Sequence, residues 1–321
     1  MTNKYFVGID TSAYTTSVAV IDNEDKIIIN SKKILKVKKG HLGLRQQEAV
    51  FQHVNNLPKL IEKMATEIDI NKIDTISCSN QPRRIEGSYM PVFVVGKGQA
   101  FILSKVLDTQ YREYSHQEGH IGAGVVNNQL RNCKKFLSFH ISGGTTELLL
   151  VSNQDEQMSV KIIGGTLDLS IGQLIDRIGI ALGLSFPCGA EMDKLSQDGD
   201  VLSLNIPISI KGKTWFNLSG LENYFKNLLK NDSYSIEDIL ATLFNTISLI
   251  TYKVIINSRV EYGIDNILIT GGVSANKNLR KNLSKKLEKQ GINSVFPKIA
   301  LCTDNGVGIA YLGKEKYLVG D

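Results

Sequence analysis

The chain has 321 residues, of which 42% are hydrophobic and 21% charged, so it is long enough for two hydrophobic cores and too apolar to be intrinsically disordered. Lysine and arginine (37) exceed aspartate and glutamate (32), which is compatible with a nucleic-acid partner and equally with a solvated basic surface. Four cysteines without a close-spaced pair indicate neither a zinc ribbon nor a disulfide framework. Because neither a leader nor an apolar run of about 20 residues is evident, we expect a cytoplasmic protein with no membrane segment.

Apolar periodicity in the first third of the chain predicts a β-meander followed by helix, strand and helix. The predicted strands are Tyr5–Asp10, Ser17–Ile21, Ile27–Leu35 and Ile73–Cys78. The predicted helices are Gln46–Ala65, with a kink at Pro58, and Val92–Val106.

The same pattern then starts again, with a second predicted meander at Phe136–Ile141, Thr146–Val151 and Val160–Ile163. The elements predicted after it are helices at Gly172–Leu182, Ala190–Gln197, Gly220–Leu229 and Ile236–Val260, a strand at Asn266–Thr270, a helix at Asn276–Gln290 and a last helix starting near Asp304. Two halves with a similar order of elements indicate an internal duplication. We therefore expect two similar lobes around one cleft, residues 1–115 plus 300–321 and residues 116–299.

Three turns rich in glycine and hydroxyl side chains are suited to hold a nucleotide. The turn Gly8–Ser12 ends the first strand with Asp10 and two hydroxyls. The turn Ser142–Thr146 opens the second meander, and its glycines let backbone N–H groups approach an anion. The segment Ile267–Asn276 is a strand, a Gly-Gly turn and a helix start, against which a nucleoside can lie. Each turn alone is equally an ordinary turn, but together they predict an α/β protein of the actin-like ATPase (ribonuclease H-like) fold.

The segment His116–His120 is the most informative short motif. Histidines at i and i+4 lie on one face of a helix, close enough to bind one divalent metal ion, although a pair of surface histidines has the same spacing. Glu118 stands about 200° around the helix from His116, so it is not placed as the general base of a zinc peptidase helix is. Asp304, at the predicted start of the last helix, is either a helix cap or a third ligand.

These elements resemble, in order and over nearly the full chain, the universal tRNA threonylcarbamoyladenosine synthase family, formerly called O-sialoglycoprotein endopeptidases or glycoproteases. The motifs that carry the resemblance are His116–His120, Ser142–Gly144, Gly165–Asp168, Leu218–Leu221, Gly271–Asn276 and Cys302–Asn305.

The resemblance implies transfer of a threonylcarbamoyl group from threonylcarbamoyl-AMP to the adenosine beside the anticodon of tRNA, with partner subunits that include a homologous actin-like subunit. It implies that His116, His120 and Asp304 bind iron or zinc, which holds the threonylcarbamoyl group. It also implies a site for an adenine nucleotide, threonylcarbamoyl-AMP or ATP, formed by Ser142, Gly143, Gly144, Asp176, Gly189 and Asn276. Because the mixed anhydride is already activated, the site needs chiefly to orient it and to polarise its carbonyl group.

The sequence also departs from the family pattern. The departures are Ala13, Tyr14 and Thr15 in place of a cysteine and two acids, Gln81–Arg84 in place of a Gly-Pro-Gly loop, Thr145 in place of a histidine and Glu222 in place of a lysine. Asp10 remains as the acid of the first turn, and we predict it as the catalytic proton acceptor, which requires a distance of about 3 Å to the amine or to an intervening water.

Two alternatives stay open. The first is a non-catalytic paralogue that binds metal and nucleotide and acts as a scaffold or regulator in tRNA modification. The second is a metallopeptidase, which the placement of Glu118 disfavours.

Overall fold

The first half of the chain folds into a five-stranded mixed sheet. The computed structural model describes residues 4–37, 44–154 and 157–315. The strands of this sheet are β1 (Tyr5–Thr11), β2 (Thr15–Asp22), β3 (Ile27–Ile34), β4 (Ile73–Gln81) and β5 (Gln110–Ser115). Their spatial order is β3-β2-β1-β4-β5, with β1 to β3 antiparallel and β4 and β5 parallel to β1. The predicted meander is confirmed, whereas β5 is a strand that the sequence analysis did not identify.

The second half repeats this arrangement in a seven-stranded sheet. Its strands are β6 (Lys135–Ile141), β7 (Thr146–Gln154), β8 (Gln157–Thr166), β9 (Ser209–Lys211), β10 (Trp215–Asn217), β11 (Asn266–Thr270) and β12 (Asn293–Val295). Their order is β12-β11-β6-β7-β8-β10-β9, and β11 is parallel to β6 as β4 is to β1. Without the two short strands β9 and β10, the order matches that of the first sheet. The predicted internal duplication is therefore confirmed.

The helices follow the predicted pattern with one informative difference. They are α1 (Gln46–Glu67), α2 (Val92–Val106), α3 (His116–Val125), α4 (Ile171–Ala181), α5 (Gly189–Leu195), α6 (Ser219–Leu228), α7 (Ile236–Tyr262), α8 (Lys277–Glu288), α9 (Ile299–Cys302) and α10 (Val307–Glu315). Helix α10 begins at Val307 rather than near Asp304, because the side chain of Asn305 accepts a hydrogen bond from the Val307 N–H group at 3.0 Å. Asp304 is therefore not needed as a cap.

The described residues divide into two compact units. Residues within 1–134, 152–160 and 303–321 form the first unit, and residues 135–151 and 161–302 form the second. The first unit thus continues past residue 115, the predicted end of the first lobe, because α3 packs against α10. Residues 300–302 belong to the second unit, where Arg280 donates a hydrogen bond to Cys302 Sγ.

Helix α7 forms the centre of the core of the second unit. Its side chains Leu243, Phe244 and Ile247 are fully buried among those of the second sheet. By length and composition it is the one helix in the described part of the chain that is apolar enough to cross a membrane, and 72% of its most apolar window is buried within the protein. The sequence predicts this segment as a helix, Ile236–Val260, and does not single it out as a long apolar run. The burial is that expected of a core helix.

Within the first unit, α10 packs against β1 and α3 at backbone distance. A β-carbon on Gly8 would overlap the carbonyl oxygen of Gly306. A β-carbon on Gly308 would overlap the carbonyl oxygen of Gly119, and one on Gly122 would lie 2.6 Å from that of Gly308. Only glycine permits this approach. The packing brings together the end of β1, the first turns of α3 and the segment that precedes α10.

Candidate metal centre and nucleotide site

The start of α3 is fixed by a capping box. The Ser115 side chain accepts a hydrogen bond from the Glu118 N–H group at 3.2 Å, and the Glu118 carboxylate accepts one from the Ser115 N–H group at 2.6 Å. Such reciprocal bonds satisfy two of the N–H groups that a helix leaves unpaired at its start. His116 is thereby the first residue of the helix, and His120 follows it on the same face.

The side chains of His116, His120 and Asp304 form one cluster in the first unit. The two histidine Nε2 atoms lie 3.1 Å apart. Asp304 Oδ1 lies 3.5 Å from His116 Nε2 and 3.3 Å from His120 Nε2. Nitrogen and oxygen ligands about 2.0 Å from one tetrahedral ion are about 3.3 Å from each other. The structure therefore brings together the three residues that the sequence predicts as ligands, at the spacing that a zinc-sized ion requires.

Asp10, at the end of β1, holds His116 from the side opposite the cluster. Asp10 Oδ1 accepts a hydrogen bond from His116 Nδ1 at 2.9 Å, so the Nε2 atom faces the cluster and is the nitrogen that could bind a metal ion. The Asp10 side chain is 1% exposed, and its Oδ2 atom has no hydrogen-bond partner within the described residues. A buried carboxylate behind a histidine is the usual arrangement for orienting a metal ligand. The unsatisfied oxygen next to the cluster adds to the fit with a cation.

The charges of this cluster depend strongly on each other. Burial alone would lower the pKa of His116, but the carboxylates of Asp10 and Asp304 raise that pKa well above its usual value. Burial alone would raise the pKa of Asp304, but His116 and His120 lower that pKa well below its usual value. Without a metal, the cluster therefore favours a protonated His116 between two carboxylates. A divalent ion would take the place of that proton.

Asp304 is held on its other side by the first turn. Ser12 Oγ donates a hydrogen bond to Asp304 Oδ2 at 2.5 Å. The Ser12 carbonyl accepts one from His53 Nε2 at 2.9 Å, so His53 Nδ1 accepts from Thr16 Oγ1 at 2.8 Å. Burial lowers the pKa of His53, which keeps the ring neutral despite the Ser12 carbonyl and the Asp10 charge. His53 is not predicted from the sequence, because a buried histidine on α1 has no local signal.

The carboxylate of Glu118 is committed to structure. Besides Ser115, it binds the guanidinium group of Arg84 through two hydrogen bonds of 2.9 and 3.1 Å. The Pro82 carbonyl accepts a further bond from the Gln117 N–H group at 3.0 Å. The segment that replaces the Gly-Pro-Gly loop of the family is therefore docked on the start of α3. The spacing of Ser115 and Glu118 is that of a capping box, and this is the feature of the sequence that indicates a structural role for Glu118.

In the second unit, Ser142, Gly143 and Gly144 form a tight turn between β6 and β7. The Ser142 N–H group donates to the Thr145 carbonyl at 2.9 Å, and Ser142 Oγ accepts from the Thr145 N–H group at 3.0 Å. Both glycines are exposed, and a β-carbon on either would meet nothing within 4 Å. The turn rests on the start of α4, where Ser170 Oγ donates to the Gly143 carbonyl at 2.8 Å.

The Gly-Gly turn after β11 lies beside the turn after β6. Gly271 has a φ angle of 92°, and a β-carbon there would overlap the Ile141 carbonyl oxygen, so two separate constraints require glycine. Asn276 then caps α8, since its side-chain oxygen accepts a hydrogen bond from the Leu279 N–H group at 2.7 Å. This cap accounts for one of the residues that the resemblance placed at the nucleoside.

Helix α5 connects the other residues predicted at the nucleotide. Asp176 Oδ1 accepts a hydrogen bond from the Cys188 N–H group at 2.8 Å, which brings Gly189 to α4. Burial raises the pKa of Asp176, and the Cys188 bond opposes the rise. Asp193 accepts from the first two backbone N–H groups of α8, at 2.9 and 3.2 Å. The N-terminus of α8 is thus satisfied by side chains of the protein, a role of Asp193 that the sequence analysis missed.

Comparison with known sequences identifies the family of this chain. Residues 25–311 match the family described as TsaD: tRNA N6-adenosine threonylcarbamoyltransferase. The protein of this name from Persephonella marina is 30% identical over 97% of this chain and 90% of its own length. The one from Thermosipho africanus is 32% identical over 98% of this chain and 94% of its own length.

Solved structures share the fold at low sequence identity. HypF from T. kodakarensis gives a TM-score of 0.63 at 14% identity and covers 98% of this chain and 48% of its own. A ROK family glucokinase from Streptomyces griseus, in complex with glucose and AMPPNP, gives a TM-score of 0.53 at 8% identity and covers 96% of this chain and 98% of its own. The predicted actin-like ATPase fold is confirmed. From the match over residues 25–311 and from relatives aligned along their length, this chain belongs to the TsaD family of tRNA N6-adenosine threonylcarbamoyltransferases.

Proposed function

We propose that this chain transfers a threonylcarbamoyl group from threonylcarbamoyl-AMP to the adenosine beside the anticodon of tRNA. Membership of the family supports the reaction and the tRNA substrate. The observation that carries the proposal is the cluster of His116, His120 and Asp304, whose ligand atoms all lie within 4.8 Å of one another. A protein released from catalysis has no physical need to keep such a cluster.

In this proposal, His116, His120 and Asp304 hold one divalent ion. Two imidazoles and one carboxylate suit zinc or iron, and three protein ligands leave a position open for substrate. An ion bound there supplies a Lewis acid for the carbonyl group of the donor. The chain itself fixes the ligands, His116 through Asp10 and Asp304 through Ser12.

We assign Asp10 a positioning role rather than direct contact with the substrate amine. Its carboxylate is 1% exposed, and one of its oxygens is bonded to His116. From the sequence, Asp10 is predicted as a proton acceptor about 3 Å from the amine or from an intervening water. Burial supports an effect on the reaction through the orientation of His116.

The adenine nucleotide, threonylcarbamoyl-AMP or ATP, is proposed to bind in the second unit. The exposed backbone of Gly143 and Gly144 would face its phosphate. One carboxylate oxygen of Asp176 accepts the hydrogen bond from the Cys188 N–H group. Its other oxygen would accept a hydrogen bond from a ribose hydroxyl near Gly189. Because the side-chain oxygen of Asn276 caps α8, its side-chain NH2 group would donate to the nucleoside.

The main alternative is a non-catalytic paralogue that acts as a scaffold or regulator in tRNA modification. One observation favours it. Glu222, where the family has lysine, is held in ion pairs with Arg177 at 3.0 Å and Lys226 at 2.6 Å. A lysine at this position would face two cations, so the two ion pairs give Glu222 a structural role. The metallopeptidase alternative loses support because Glu118 is bonded to Arg84 and Ser115.

The same proposal includes partners and location. We propose that the chain works with partner subunits, including a homologous actin-like subunit, and acts in the cytoplasm, where its tRNA substrate is found. Family membership supports the tRNA substrate.

The proposed metal centre predicts that replacing a ligand, or the residue that orients it, lowers the affinity for zinc. Wild type should retain about one zinc or iron ion per chain, and His116→Ala should bind zinc at least roughly tenfold more weakly. Asp10→Asn should also weaken zinc binding by roughly tenfold, because it removes the carboxylate that orients His116 but leaves all three ligands in place. Equilibrium dialysis with metal analysis measures both, and Cys133→Ala, which removes a partly exposed thiol, should match wild type. Equal metal content in wild type and a His116→Ala, His120→Ala double variant would refute the centre.

The nucleotide site predicts a role for Asp176. Replacement by alanine should weaken the binding of AMP by about 1–3 kcal/mol, because a hydrogen bond between a carboxylate and a hydroxyl is lost. Titration calorimetry measures the change. Asp198→Ala, which removes an exposed acid in the same unit, should leave binding unchanged. An Asp176→Ala variant that binds AMP as tightly as wild type would count against the site.

Reconstitution tests the proposed reaction. Purified chain, threonylcarbamoyl-AMP, tRNA and the partner subunits should yield the modified nucleoside in digested tRNA, measured by mass spectrometry. His116→Ala should lower the yield by roughly tenfold or more, because it removes a metal ligand. Absence of product from wild type, where a housekeeping homologue is active, would favour the scaffold alternative and would leave the metal and nucleotide results standing.

A further inference from the structure

Helix α8 carries a stripe of lysines along one exposed side. Lys277, Lys281, Lys285 and Lys289, the last directly after the helix, are all exposed and repeat every four residues. At 1.5 Å rise per residue, neighbouring lysines of the stripe are about 6 Å apart along the helix axis. Like charges at this spacing repel each other. The arrangement therefore works against the helix unless an anion is present.

No acid forms an ion pair with a stripe lysine in the described part of the chain, whereas seven other lysines do have one. Lysines with an ion pair are Lys4, Lys63, Lys72, Lys97, Lys213, Lys226 and Lys314. Within the described residues, the four stripe lysines have no recorded ion pair, and Glu288 is the one acid of α8. Burial, together with the charges of Lys285 and Lys289, lowers the pKa of neighbouring Lys286. A positive field is thus concentrated along this helix.

The apolar side of α8 shows what kind of anion fits. Leu279, Leu283 and Leu287 are completely buried in the core of the second unit. An amphipathic helix that inserts into a membrane surface does so through exposed apolar side chains, and α8 has its leucines turned inward. A surface of evenly spaced cations without apolar anchors fits the phosphate groups of a nucleic-acid backbone.

We infer that the lysine stripe of α8 is a docking surface for the phosphate backbone of tRNA. The inference rests on the proposed function, because that function supplies the tRNA. Contacts of this kind position a nucleic acid without reading its sequence. The stripe therefore contributes to affinity for any tRNA and not to the choice of the modified adenosine.

The test is the salt dependence of tRNA binding to the full chain, assembled with the partner subunits used in the reconstitution. The slope of log affinity against log salt should become less steep by about 2–3 in a Lys281→Gln, Lys285→Gln, Lys289→Gln variant. The corresponding triple arginine variant should keep the wild-type slope. A control with Lys59→Gln, Lys161→Gln and Lys211→Gln, three exposed lysines on other elements, should keep it as well. The stripe variant should melt at or above the wild-type temperature, because repulsion is removed.

The outcomes separate this inference from the proposed function. A wild-type chain that binds tRNA with the same salt slope as the glutamine variant overturns the inference alone. A wild-type chain that does not bind tRNA overturns the proposed substrate as well. A third outcome is that the wild type binds phosphatidylserine vesicles, the glutamine variant does not, and the salt slope of tRNA binding is the same in both. That outcome would assign the stripe to a membrane surface and would also overturn the inference.

Discussion

The contact between glycine backbones around α10 is the constraint on which the candidate metal centre depends. Asp304 precedes this helix, Asp10 lies on β1, and the two histidines lie on α3, so the ligands come from distant parts of the chain. They meet because Gly308 lets α10 approach α3 and Gly306 lets the preceding segment approach β1. A side chain at either position would occupy the space of a carbonyl oxygen. The spacing of the ligand atoms is therefore set by backbone packing rather than by the side chains alone.

The same packing concentrates negative charge. It buries the Asp10 carboxylate on one side of the His116 ring and places Asp304 on the other side. Isolated charges at such a site cost free energy, so the cluster requires a compensating cation. A protonated His116 provides one, and a divalent ion provides a stronger one while leaving both imidazoles neutral. Ser12 and His53 complete the arrangement, because they determine where the Asp304 carboxylate points.

Local patterns predicted much of this structure, and long-range contacts account for what they missed. Helix α2 and strand β11 have the predicted bounds. The apolar residues of β11 are buried, whereas α2 exposes four of its apolar side chains, Val94, Phe101, Ile102 and Val106. Strand β5 was missed since its first residues are mostly polar and at most half-buried at the edge of the sheet. The histidine pair follows from its i, i+4 spacing. His53 contacts Ser12 across 41 residues, and Asp193 contacts α8 across 84, so neither partner could be predicted from spacing.

The most direct test of the central constraint compares two glycines of α3. A β-carbon on Gly122 would lie 2.6 Å from the Gly308 carbonyl oxygen, whereas one on Gly119 would meet only the side chain of Ile309, with Cδ1 at 2.9 Å and Cγ1 at 3.1 Å. The measurement is the zinc dissociation constant of each alanine variant, by competition with a chromophoric chelator, on protein that retains its circular dichroism spectrum. We expect Gly122→Ala to bind zinc roughly tenfold more weakly or worse and Gly119→Ala to stay close to wild type. A folded Gly122→Ala variant with wild-type affinity would contradict the account.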